Sequence, residues 1–124
     1  MKELVIVFLG SGLGGALRYG FGRVVGRFYQ AQFPLSTFLI NILACFILGL
    51  CVGYIGHRAN FSPTLKLFLT VGFCGGFSTF STFSTEMLML FLKGNGTMSV
   101  LYLVGSVALG LLATYVGFLF AEHL

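Results

Sequence analysis

Charged side chains are scarce in this chain. Only ten of its 124 residues are Lys, Arg, Asp or Glu, whereas 57% are hydrophobic. An ordinary soluble domain carries about a quarter charged residues, so this composition excludes that class. Three runs contain no charged side chain: residues 28–56, 67–85 and 94–121. A fourth apolar run, residues 4–25, contains only Arg18 and Arg23, and a membrane-spanning helix needs roughly 20 such residues.

Proline is also rare, with only two copies. Pro34 and Pro63 mark two linkers, and Gly94-Asn95-Gly96 marks the third. We therefore predict an all-α membrane protein, with residues 1–124 forming one domain. Its four transmembrane helices are expected at about 4–26, 35–57, 64–92 and 97–121.

Acidic residues and cysteines are few, and this argues against two further classes of site. Residues 10–15 have the spacing of a dinucleotide-binding loop, but no Asp or Glu lies between Glu3 and Glu86 to bind the ribose. The three cysteines lie inside predicted helices, and their odd number argues against disulfides or a metal cluster. We interpret them as small apolar fillers: Cys45, Cys51 and Cys74.

Basic residues are divided equally between the two predicted membrane faces. Arg18 is not counted, because it lies inside a predicted helix. Of the six remaining Lys and Arg residues, three lie on one face and three on the other. The first face has Lys2, Arg58 and Lys66, and the second has Arg23, Arg27 and Lys93. Orientation follows the face with more Lys and Arg, so this tie predicts insertion in both directions. Two oppositely inserted copies would pair as an antiparallel homodimer. The alternative is that other signals set one orientation. Charge divided in this way is not typical of a nucleic-acid-binding surface.

Glycine, by contrast, is abundant, with 18 copies. Small residues four apart allow helix backbones to approach closely in lipid. Four such pairs occur, at Gly10/Gly14, Gly22/Gly26, Gly49/Gly53 and Gly72/Gly76. They indicate tight helix packing and favour oligomerisation.

Residues 75–85 read Gly-Gly followed by three copies of Phe-Ser-Thr. The glycine pair predicts a break in the third helix, tolerated in a membrane only where protein, water or an ion satisfies the freed backbone. Phenylalanine ring edges are electropositive, so Phe80 and Phe83 can face a small anion while hydroxyls replace its water. The alternative is that the rings only pack and the hydroxyls bond to their own helix.

Other polar groups inside the predicted helices are few. Arg18 is a functional candidate, or its guanidinium extends to the membrane interface. Asn41 either donates to a passing anion or joins two helices. Glu86 is the only acidic residue in the membrane interior. Helix four carries small or polar residues at every fourth position: Tyr102, Ser106, Gly110 and Thr114. This face either lines a path for an ion or packs against a neighbouring helix.

These segments together resemble the Fluc (CrcB) family of fluoride channels. The matching residues span the chain: Gly12 to Arg18 less strictly, Ser36-Thr37-Phe38 with Asn41, and the long, specific run Gly72 to Glu86. The resemblance implies an antiparallel dual-topology dimer with two fluoride pores and one central structural Na⁺.

The resemblance also implies roles for single residues. Backbone carbonyls of Gly75 and Ser78 from both subunits would bind the Na⁺, and Arg18 would lie at the aqueous vestibule. Threonine also occurs in the family at the position of Ser78. The pore would be lined by an aromatic pair, an amide and a polar track: Phe80, Phe83, Asn41, Ser81, Thr82, Ser84, Glu86, Tyr102 and Thr114. Gly110 departs from the family, where a serine is expected on the track.

The expected activity is passive fluoride export, not enzymatic catalysis, in a bacterial-type inner (plasma) membrane. Fluoride is small and strongly hydrated, so a selective pore must replace its water with closely spaced donors at several weak sites. The main alternative is a small proton-coupled multidrug transporter. That class needs a carboxylate in helix one, where this chain has Arg18. A membrane assembly subunit without transport activity would leave the polar residues unexplained.

Overall fold

The computed structural model describes residues 1–124 and contains helices but no strand. The elements are α1 (Lys2–Phe28), α2 (Leu35–Gly56), α3 (Pro63–Leu67), a π-helical segment (Phe68–Cys74), α4 (Gly75–Phe77), α5 (Phe80–Leu92) and α6 (Gly96–Ala121). Four helical spans are long and apolar enough to cross a membrane: α1, α2, Pro63–Leu92 and α6. The prediction of four such helices in an all-α protein is therefore confirmed.

Local sequence explains where the spans begin and end. Ser62 accepts a hydrogen bond from the amide of Leu65 at 3.3 Å, and Pro63 occupies the first helical position, where its missing N–H costs nothing. Gly94 adopts a φ of 82°, a left-handed conformation that glycine tolerates, and this ends α5.

Glycines bring α1 directly against the third span, Pro63–Leu92. A Cβ added at Gly10 would lie 2.7 Å from the carbonyl oxygen of Phe68, and one at Gly76 would lie 2.7 Å from the Cα of Ser11. These distances are shorter than any real Cβ contact, so the two backbones touch. Gly10 contacts Phe68 and the later Gly14 contacts the later Phe77, so α1 and the third span run parallel.

A second glycine contact joins α2 to α6. A Cβ at Gly53 would lie 2.7 Å from the carbonyl oxygen of Phe118, and one at Gly117 would lie 2.9 Å from the amide of Leu50. The pair Gly22/Gly26 behaves differently, because Gly22 meets only the Ser36 hydroxyl and Gly26 meets nothing within 4 Å. Close packing therefore forms two helix pairs.

The interior of the bundle is small, and its outside is apolar. One buried cluster contains Ile40, Ala44 and Phe77, and the other contains Phe83, Leu90 and Tyr102. Large apolar side chains such as Phe8 and Leu111 are instead more than two-thirds exposed. An apolar surface of this extent is what a helix bundle presents to lipid or to a partner.

The glycine contact gives a stability prediction. Replacing Gly14 by Ala would place a Cβ 2.7 Å from the amide nitrogen of Phe77. We expect Gly14→Ala to lower the free energy of unfolding by about 1–3 kcal/mol in a denaturant titration of the detergent-solubilised protein. Gly12→Ala is the matched control, because a Cβ there meets nothing within 4 Å. Equal stability of the two variants would contradict the packing argument.

Candidate functional site

The helical backbone of the third span is interrupted at Ser78 and Thr79. Both residues are extended, with φ and ψ of −77° and 158° at Ser78 and −149° and 118° at Thr79. The Thr79 hydroxyl starts α5 by accepting a hydrogen bond from the amide of Thr82 at 3.3 Å. Such an interruption leaves backbone polar groups that need partners from outside the helix.

Asn41 of α2 supplies partners for Thr79. Its Nδ2 donates to the Thr79 carbonyl oxygen at 3.1 Å, and its Oδ1 accepts from the Thr79 amide at 2.9 Å. One side-chain amide therefore satisfies both polar groups of one residue. Because an asparagine amide carries two N–H groups, one of them is left for another acceptor.

The same hydrogen bonds remove the usual donors of two carbonyl groups. In a continuous helix, the amide of Thr79 would donate to Gly75 and that of Thr82 to Ser78. Here these amides donate to Asn41 Oδ1 and Thr79 Oγ1. The carbonyl oxygens predicted as cation ligands, those of Gly75 and Ser78, therefore lack their usual helical partners.

Arg18 of α1 also reaches the interruption. Its Nε donates to the carbonyl oxygen of Gly76 at 3.2 Å. With Arg23 it lines a cleft of about 350 Å³ that contains no acidic side chain. Five hydroxyl groups complete the polar lining: Tyr19, Ser36, Thr37, Thr79 and Thr82. Two guanidinium groups with no opposing carboxylate make this cleft attractive to anions.

The two aromatic residues predicted at the site lie side by side. The ring centroids of Phe80 and Phe83 are 5.9 Å apart. Phe83 is buried and meets the Tyr102 ring edge-on at 4.8 Å, whereas Phe80 is 79% exposed. Phe77 lies elsewhere, stacked on Phe73 in the other buried cluster.

Two hydroxyl groups of α6 are buried without a hydrogen-bond partner. They belong to Tyr102, which is completely buried, and to Ser106, one turn further along. Buried polar groups are nearly always hydrogen-bonded, so each unpaired group requires an explanation. The Tyr102 hydroxyl lies close to the Glu86 carboxyl group, to which the Thr37 hydroxyl donates, whereas the Ser106 hydroxyl has no such neighbour.

A second cavity, of about 270 Å³, is lined in part by Ser78 and Thr79 of the interruption. It brings together Asn41, both aromatic residues and the Ser106 hydroxyl: the lining is Asn41, Cys45, Ser78, Thr79, Phe80, Phe83, Ser106 and Val107. Its lining combines amide and hydroxyl groups with two aromatic rings. It contains no charged side chain.

The remaining predicted residues are distributed as follows. Thr82 and Arg18 line the cleft, and Glu86 lines a smaller opening of about 180 Å³ with Lys93. Ser81 and Ser84 lie exposed on the outside of α5. Thr114 donates to the carbonyl oxygen of Gly110 in its own helix, at 2.9 Å. The structure of one chain therefore does not place these three hydroxyls in the cavity.

Sequence reasoning missed three contributors to the site. Thr37 binds Glu86, Ser36 lines the cleft and Cys45 lines the cavity. A signal was present for two of them, because Thr37 and Cys45 each lie four residues from Asn41 and so share its helix face.

The fold and the site define the class. The chain is a small multi-pass membrane protein whose spans form open polar and aromatic clefts around a helix interruption.

Comparison with known proteins identifies the family. Residues 5–118 match the family described as CrcB-like protein, Camphor Resistance (CrcB). A relative from Flavobacterium psychrophilum is 42% identical over 124 residues, which is the whole of both chains. One from Methylobacterium sp. is 43% identical over 99% of this chain and 98% of its own. One from Phocaeicola vulgatus is 40% identical over 98% of this chain and 100% of its own. Each relative is named a fluoride-specific ion channel.

The chain therefore belongs to the CrcB family, and the resemblance deduced from its motifs is confirmed. The relatives' shared name describes an ion channel and not an enzyme. This agrees with the expectation of a protein without catalytic activity.

The double hydrogen bond of Asn41 gives a second prediction. We expect Asn41→Ala to release the Thr79 amide and lower the free energy of unfolding by about 1–3 kcal/mol. Hydrogen exchange of residues 75–83, followed by mass spectrometry, should become faster. Ser84→Ala is the control, because that side chain is exposed and makes no hydrogen bond. Unchanged exchange in the Asn41 variant would show that the interruption is held by other contacts.

Proposed function

We propose that this protein is a fluoride-selective channel that exports fluoride passively across a bacterial inner membrane and so protects against fluoride toxicity. The relatives' names support fluoride as the ion. The observation that carries the proposal is the buried, unpartnered hydroxyl of Ser106 in the cavity that Asn41, Phe80 and Phe83 also line. A small hydrogen-bond acceptor in this cavity would satisfy it.

The lining of the cavity suits a small, strongly hydrated anion. The free N–H of Asn41 and the Ser106 hydroxyl are donors, and the edges of Phe80 and Phe83 carry partial positive charge. None of these groups is a fixed cation, so each attracts an anion without holding it tightly. Several weak sites in succession are what conduction requires.

The cleft serves as the entrance in this scheme. Arg18 and Arg23 raise the local concentration of anions there, and Thr79 and Thr82 also line it. Thr79 also lines the cavity, so it joins the two spaces. A fluoride ion would pass from the cleft, beside Thr79, to Asn41 and then to the hydroxyls of α6.

A second copy of the chain completes the structure in this proposal. On one chain the α5 hydroxyls of Ser81 and Ser84, the Phe80 ring and Gly75 are exposed, and the interruption would lie in mid-membrane. Hydroxyls facing hydrocarbon are unfavourable, so a partner that covers this face is favoured. The equal division of basic residues supports an oppositely inserted copy.

Sodium fits the centre of such a dimer. The carbonyl oxygens of Gly75 and Ser78 lack their usual helical donors, and two copies would provide four oxygens. Oxygen atoms of this kind are the ligands that a hard cation prefers. When bound, the ion would supply positive charge that joins the two copies and opposes cation entry. We assign it a structural role and not a transported one.

The sodium site gives a third prediction. A ligand that binds only the folded state stabilises it, by about 2.7 kcal/mol at a concentration one hundred times its Kd. The Tm of the purified protein should therefore rise with Na⁺ and reach a plateau, relative to N-methylglucamine at equal ionic strength. Ser78→Ala should retain this response, because the ligand is the backbone carbonyl. A Tm that does not depend on the cation would reject the sodium site.

The fourth prediction tests conduction and its aromatic lining together. In liposomes containing the purified protein, a fluoride electrode should record rapid release of fluoride, with no chloride release and no need for a proton gradient. Phe80→Ile and Phe83→Ile should abolish this release, because an aliphatic side chain offers no electropositive ring edge. Phe91→Ile, on the same helix and 66% exposed, should not.

Size-exclusion chromatography provides the control for assembly, since the inactive variants should remain dimers. Undiminished release from both Phe80→Ile and Phe83→Ile would defeat the aromatic lining. Proton-coupled exchange of organic cations by the wild-type protein, without fluoride release, would instead identify a multidrug transporter. Arg18 in α1 disfavours that result, because such a transporter needs a carboxylate there.

A further inference from the structure

The polar row on α6 has one member without a side chain. Tyr102, Ser106 and Thr114 carry hydroxyls at spacing four, and Gly110 stands between the last two. A Cβ added at Gly110 would have Cys45 Sγ as its nearest neighbour, at 3.4 Å. The thiol of α2 therefore lies beside the position where a side chain on residue 110 would begin.

Cys45 is also part of the cavity wall. It lies one helical turn after Asn41 and lines the 270 Å³ cavity with Phe80 and Ser106. The Ser106 oxygen lines the same cavity, is buried and has no hydrogen-bond partner, so a polar species in the cavity would satisfy it. Cys51 and Cys74 do not line it, and Cys74 is 3% exposed.

We propose that Cys45 is a pore-lining residue whose thiol takes the place of the missing hydroxyl opposite Gly110, and that small thiol reagents stop conduction by modifying it. This inference rests on the proposed fluoride channel. An S–H group is a weaker donor than a hydroxyl, so it continues the row of weak anion sites. In this proposal Cys45 has a role in conduction, whereas the sequence alone suggested an apolar filler.

Methyl methanethiosulfonate is a suitable probe because it is small. The Cys45 thiolate attacks the sulfenyl sulfur, a disulfide to a methylthio group forms, and methanesulfinate leaves while the thiol proton passes to water. The added group would occupy the cavity between Ser106 and the aromatic pair. A thiol reductant reverses the reaction.

The fifth prediction uses a variant with Cys51→Ala and Cys74→Ala, so that Cys45 is the only thiol. Fluoride release from liposomes should fall more than about tenfold after treatment and recover with the reductant. Adding Cys45→Ser should abolish the sensitivity to the reagent. Adding Cys45→Ala should slow release by about three- to tenfold, the value of one lost hydrogen bond.

Mass spectrometry of the treated wild-type protein gives a readout that does not depend on fluoride release or on the substitutions. Cys45 should be modified faster than Cys74. A modified Cys45 with unchanged fluoride release would overturn the proposal, and so would a Cys45 that reacts only after denaturation. If untreated protein releases no fluoride, the fluoride channel fails, while preferential modification of Cys45 would still support its exposure in the cavity.

Discussion

The requirement that every backbone polar group in a membrane find a partner governs this structure. The third span stops being helical at Ser78 and Thr79, and the amide side chain of Asn41 pairs with both polar groups of Thr79. No water is present in hydrocarbon to replace those bonds. The starting position of α5 depends on this pairing, and so do the positions of Phe80 and Phe83.

Close helix packing makes the pairing possible. Gly10 and Gly14 allow the backbone of α1 to touch the third span, which brings Arg18 within reach of the Gly76 carbonyl. Gly49 and Gly53 hold α6 against α2 in the same way. The Ser106 hydroxyl of α6 and the Asn41 amide of α2 thus line one common cavity. Side chains at these glycine positions would separate the helices and open the site.

Much of this arrangement was predictable from the sequence, but the choice of hydrogen-bond partners was not. Three charge-free runs, and a fourth that contains only Arg18 and Arg23, show the four spans directly, and the Gly-Gly-Phe-Ser-Thr run marks the important segment. A hydroxyl or an amide, however, has several partners within reach, and tertiary packing selects among them. Asn41 donates one N–H to the Thr79 carbonyl oxygen, and the Thr114 hydroxyl donates to a carbonyl oxygen of its own helix. Thr37 was not recognised from the sequence as the partner of Glu86. The π-helical turns at Phe68–Cys74 likewise have no clear sequence signal.

The pairing of Asn41 with Thr79 joins one amide to another, so it carries no net charge and does not titrate. A carboxylate used for the same purpose would repel anions along the whole neighbouring path, and an ammonium group would trap them. The pair itself is therefore uncharged, although the charged Arg18 side chain bonds to the nearby Gly76 carbonyl. Its two hydrogen bonds should be the same in acid and in alkali, which leaves any response to pH to groups elsewhere in the protein.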